Sequence, residues 1–156
     1  MNVTAFDIAQ RFVGVKELPG DKDNPFILSM LQLDTNWPLH DEVPWCSAFV
    51  NYVAWLLRLP RSKNLGARSW LTVGMAVGTI AAPAVPGFDV VVLERGVPGS
   101  QGHVGFLASP GFMGQGMMDV MAKIHVLGGN QGNSVSVEEF PQSRVLGVRR
   151  LWTPGR

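Results

Sequence analysis

The sequence predicts an α+β fold in which helices come first and a small antiparallel sheet follows, as one domain over residues 1–156. Up to about residue 73, apolar residues recur at helical spacing behind capping residues. Past Pro86 they gather into β-branched runs bounded by glycine and proline, which is the strand pattern. The connections between those runs are short, which favours antiparallel pairing, and no repeat or linker divides the chain.

Thr4 caps a first helix whose apolar face is Ala5, Ile8, Ala9 and Phe12, ending near Gly14. Asn24-Pro25 reads as a cap followed by proline at the first helical position, with Phe26, Ile27, Met30 and Leu31 turned inward. A polar loop from Asp34 to Glu42 leads into Pro44-Trp45-Cys46-Ser47-Ala48-Phe49-Val50-Asn51-Tyr52, a helix with its thiol in the first turn that Pro60 ends. Trp45, Phe49, Val53 and Leu56 form its core face. A short helix around Ala67 to Val73 carries Arg68, Ser69 and Trp70. The uncharged run from Leu71 to Phe88 approaches membrane-spanning length, but Gly74, Gly78, Pro83, Pro86 and Gly87 interrupt it. It reads as buried loop and helix end, not as a span.

Four strands follow: Asp89 to Leu93, His103 to Ala108, Lys123 to Leu127 and Val145 to Leu151. Between the second and third lies Pro110 to Met121, which holds four of the seven methionines. It reads either as a loop and turn packing Met117, Met118 and Met121 on the core, or as an adaptable apolar lid.

With 46% hydrophobic residues and 16% charged ones the chain is a globular protein with a working core. A net charge of +1 and the absence of a basic block with interleaved aromatics argue against nucleic acid as a partner. A pI near 8.0 suits approach to an anionic polymer. A single cysteine makes no intramolecular disulfide, and the first residues lack the basic and apolar regions of a signal peptide, so synthesis and folding in the cytoplasm are expected.

Cys46, that single cysteine, is the most informative residue. At a helix start, the partial positive charge and unpaired N–H groups favour the thiolate, the form that attacks carbonyls. Gly102-His103-Val104-Gly105-Phe106 sets a histidine at the mouth of a strand, and Gly128-Gly129-Asn130-Gln131 ends the next apolar run. Thiol, imidazole and amide together are the parts of a Cys/His hydrolase.

The ordered set Asp41-Glu42-Val43-Pro44-Trp45-Cys46-Ser47-Ala48-Phe49-Val50-Asn51, Ala67-Arg68-Ser69-Trp70-Leu71, Gly102 to Phe106, Leu127 to Gln131 and Ser143-Arg144-Val145-Leu146-Gly147 resembles a family of small cell-wall hydrolases. These are relatives of the NlpC-type and CHAP (cysteine, histidine-dependent amidohydrolase/peptidase) enzymes common in phages and prophages. The resemblance runs over nearly the whole chain from the first helix onward. It implies a papain-like core, with helices packed on the sheet, Cys46 as nucleophile and His103 as base. It points to Asn130 as the third catalytic residue, with Gln131 and His125 as the other choices. The backbone N–H of Cys46 is the natural oxyanion donor. Asp41 or Glu42 would line the substrate groove, unless both belong to a solvated acidic loop, and Gln131 would line it as well. Trp45 and Trp70 would flank the cleft, unless they pack in the core.

The implied activity is hydrolysis of peptidoglycan by a monomer that needs no cofactor or metal. The bond is the N-acetylmuramoyl–L-alanine amide or a peptide bond of the stem or cross-bridge. A catalytic domain of this kind suits a phage endolysin held in the cytoplasm until release, or a toxin delivered between bacteria. The competing readings are a zinc hydrolase using Cys46 with His40, His103 or His125, and a non-catalytic wall-binding or virion module on the same fold.

Overall fold

The computed structural model describes residues 3–77, 87–108 and 123–153. Three short helices come first. Helix α1 (Ala5–Gln10) starts in a complete capping box, the Thr4 hydroxyl accepting from the Asp7 amide while the Asp7 carboxylate accepts from the Thr4 amide. Helix α2 (Pro25–Leu31) has Asn24 as its cap and proline in its first turn. Helix α3 (Cys46–Leu56) runs 11 residues, and a 3-10 helix covers Ala67–Thr72.

The described strands are β1 (Met75–Val77), β2 (Asp89–Arg95), β3 (Gln101–Leu107), β4 (Lys123–Gln131), β5 (Ser134–Pro141) and β6 (Val145–Arg150). They form one six-stranded sheet in the order β1, β6, β2, β3, β4, β5, with every neighbouring pair antiparallel. The fold is therefore α+β, as expected. Strands β1 and β5 were not expected, and both lie at edges. Part of the Leu71 to Phe88 run is thus an exposed edge strand rather than buried loop. The rest of that run and the methionine-rich residues 110–121 lie outside the described residues. No described helix is long and apolar enough to cross a membrane.

Alternation along the strands divides the core in two. Val90, Val92, Val104, Phe106 and Leu127 face the helices and pack on Trp45, Phe49 and Val53, while Phe12, Phe26 and Tyr52 extend this cluster outward. Val91, Leu93, Leu107, Ile124, Val126 and Val148 form a smaller cluster on the other face. The expected core face of α3 is thus present at Trp45, Phe49 and Val53, but Leu56 is exposed.

One polar seam runs through the helix layer. Ser47 donates to the Asn64 carbonyl (2.6 Å) and accepts from the Trp70 indole (2.9 Å). Asn51, one turn on, holds the Lys63 amide through its carbonyl oxygen (3.0 Å). These two side chains tie α3 to the segment that carries Trp70, with every buried polar atom of the seam satisfied.

Candidate active site

Helix α3 starts where β3 and β4 part. Among the described residues those two strands pair at Phe106 with Leu127 and Leu107 with Val126, and their other ends part into a fork. The Trp45 ring fills one side of it: a Cβ added to Gly129 would come within 2.6 Å of that ring, so only glycine permits the approach. On the other side, the thiol of Cys46 accepts from the backbone amide of Val104, the residue after His103.

The thiol is buried, and burial pushes its pKa up. The amides of Val104, Ser47 and Cys46 and the charge of Arg95 act the other way without reversing it. This corrects the expectation of a thiolate at the helix start. Desolvation of the charged form outweighs the helix end, and the resting group is the neutral thiol.

His103 sits on β3 opposite Leu93, with its ring stacked on Phe140 at 5.4 Å between centroids. Its Nε2 meets Oε1 of Gln131 at 2.8 Å. The other end of that amide is fixed, because Nε2 of Gln131 donates to the carbonyls of Ser136 (2.7 Å) and Val126 (3.1 Å). Carbonyls only accept, so the amide oxygen must face the ring and the ring nitrogen must donate. The lone pair of the neutral ring then belongs to Nδ1. Burial lowers the pKa of His103, the Gln131 bond raises it, and the charges of Arg95 and Arg144 lower it further. The resting imidazole is neutral, with Nδ1 as its basic nitrogen. Cys46 is not among the groups that shift it, so the structure brings the thiol beside the backbone of β3 but does not couple it to the ring.

Gln131, not Asn130, is the side chain bonded to the ring, so the contact expected of Asn130 is made by its neighbour. The pairing of β4 with β5 slips between Gly128 and Gln131, and Asn130 takes a left-handed conformation (φ 57°) inside that bulge. The extra residue resets the alternation and puts Gln131 on the face of His103. Asn130 lies at the rim of the cavity beside His103. His125 is on the opposite face, in register with Glu139 and 3.2 Å from its carboxylate.

Gln131 lines the cavity beside His103, but the other expected groove residues are placed elsewhere. Trp45 and Trp70 are fully buried, the Trp45 indole donating to Glu17 (2.8 Å), so both are packing residues rather than cleft walls. Asp41 is buried and accepts from the Asn24 amide (2.7 Å), where it fixes the entry to α2. Exposed Glu42 borders a separate cavity with Asp23 and His40. His40 bonds Asp23 at 3.0 Å, so the thiol and the three histidines are not gathered as a zinc site requires. Among the described residues no three His, Cys, Asp or Glu side chains are grouped to hold a metal.

Sequence reasoning did not single out Arg95. It closes β2 on the face of His103 and is within electrostatic reach of both the imidazole and the thiol. Comparison with family models, with curated proteins and with solved structures finds no match to this chain.

Proposed function

We propose that this chain is a cysteine hydrolase of peptidoglycan, with Cys46 as nucleophile, His103 as base and Gln131 as the residue that positions the ring, on a papain-like arrangement of helix and sheet. The observation that carries the reading is the imidazole held by a doubly anchored amide, one residue from the backbone amide that binds the only thiol.

In this mechanism Nδ1 of His103 takes the proton from Sγ across the β3–β4 fork, through one intervening water, as sulfur attacks the scissile carbonyl. Because both groups rest neutral, proton transfer accompanies the attack. The backbone N–H of Cys46 receives the oxyanion, the imidazolium returns its proton to the leaving amine, and water then hydrolyses the thioester by the same base. A neutral amide suits the third position, since it orients the ring without adding charge. The substrate is wall polymer, and the biological setting is an endolysin or a delivered toxin acting as a monomer.

Purified sacculi treated with the protein provide the test, with the released muropeptides read by mass spectrometry. The expected result is a single new class of cleaved amide, unchanged by EDTA. Intact sacculi that bind the protein without release of fragments would favour the wall-binding module instead, and loss of release with EDTA that zinc restores would favour the zinc hydrolase.

A further inference from the structure

Beside His103 lies a cavity of about 190 Å³ whose rim includes Arg95, Arg144, Glu138, Asn130 and Gln131. Its charges are unbalanced. Arg144 is held at the rim by donating from Nε to the Glu94 carbonyl (3.1 Å), and neither its guanidinium nor that of Arg95 is ion-paired among the described residues. Glu94 also borders the cavity, but its carboxylate is committed to Arg68 and to the Gly99 amide. Exposed Glu138, which accepts from Ser136, is the remaining acid against two arginines. Guanidinium groups with free donors around a small recess are suited to a planar anion.

We propose that this recess is a subsite for a free carboxylate of the peptidoglycan stem peptide, bound by Arg95 and Arg144 next to the scissile amide. It rests on the hydrolase reading above and deepens it: the substrate is a peptide with unamidated carboxyl groups near the cut. The position has a chemical consequence. Arg95 and Arg144 disfavour the imidazolium of His103 in the empty site. A carboxylate seated on them cancels part of that field, so the bound substrate strengthens the base that attacks it.

The test uses the full chain carrying Cys46→Ala, or Cys46→Ser if the alanine variant folds poorly, so that binding is read without turnover. The probes are the stem tetrapeptide with free carboxylates, the same peptide fully amidated, and inorganic phosphate as competitor. The expected result is a preference of at least about tenfold for the free peptide. That preference is lost in the further Arg95→Gln, Arg144→Gln variant and partly kept with lysine at both positions, and the His103 NMR titration moves upward only with the free peptide. Equal binding of the two peptides, a preference that survives both glutamines, or phosphate competing as well as the peptide would overturn the subsite. Wall lysis by the Cys46→Ala chain is scored separately: persistence there would sink the hydrolase reading, whereas loss of lysis with no peptide preference would sink the subsite alone.

Discussion

On the helix side of the sheet, Val104, Phe106 and Leu127 meet Trp45, Phe49 and Val53 in a continuous apolar cluster that also contains Cys46. On the other side the apolar cluster is smaller, and where it ends the same sheet carries His103, Gln131 and Arg95, with Arg144 in the turn just ahead of β6, around a polar recess. The contrast shows how one sheet serves opposite electrostatic needs. The thiol is kept neutral by an environment that solvates no charge, and the imidazole is fixed by one that satisfies its hydrogen bonds. In the proposed chemistry the two meet only at the β3–β4 fork.

Short of removing Cys46 or His103 itself, changing the amide that anchors the polar side is expected to have the largest effect. Gln131→Ala should lower turnover on sacculi by about a hundredfold, within the range for positioning an acid–base group. Asn130→Ala should cost less than about fivefold, because its side chain does not hold the ring. Equal losses from both, measured as initial rates, would return Asn130 to the third position.

Gly128 and Gly129 separate the two sides within two residues. A Cβ at Gly128 would stand 2.6 Å from Oε1 of Gln131 and 3.2 Å from Nε2 of His103, whereas one at Gly129 would press on Trp45 and Phe49. Gly128→Ala should therefore lower turnover more than stability. Gly129→Ala should destabilise the fold by about 1–3 kcal/mol through overpacking. Thermal melts and rates on the two variants check this, and the reverse pattern would mean that the faces are misassigned.

A smaller effect is expected in the pH dependence of stability. His103 has a folded pKa below its ordinary 6.5. Between those values the unfolded chain holds a proton that the folded chain does not, so stability should fall as pH drops from 6.5 toward the folded value and level off below it. His40, raised by Asp23, acts above 6.5 with the opposite sign. The difference between wild-type and His103→Gln melts from pH 7.5 to 5 isolates the His103 contribution; parallel curves would contradict it.

Much of this was legible in the chain. Thr4 with Asp7, Asn24 with Pro25, and Pro44 ahead of Cys46 mark helix starts through local chemistry, and the β-branched runs mark four strands. Strand β5 was not, because Ser134-Val135-Ser136-Val137-Glu138-Glu139 looks polar; only Val135 in it is buried, as edge strands permit. The resemblance points to Asn130 rather than Gln131, and the contact passes to Gln131 through a bulge, which follows from long-range pairing and is not written in the local sequence. Trp45 and Trp70 show the same limit: an indole beside a nucleophile has one sequence signature whether it lines a cleft or fills a core.

The claim that a thiol on one side and an imidazole on the other act as a single unit is tested most directly by a four-corner measurement of turnover on sacculi. It compares wild type, Cys46→Ala, His103→Ala and the double variant, all confirmed as folded. Groups that work together are strongly non-additive, so each single variant should fall by about a thousandfold or more to a common floor, with the double variant no lower. A folded Cys46→Ala protein that keeps wild-type turnover, or single losses that multiply in the double variant, would contradict the account.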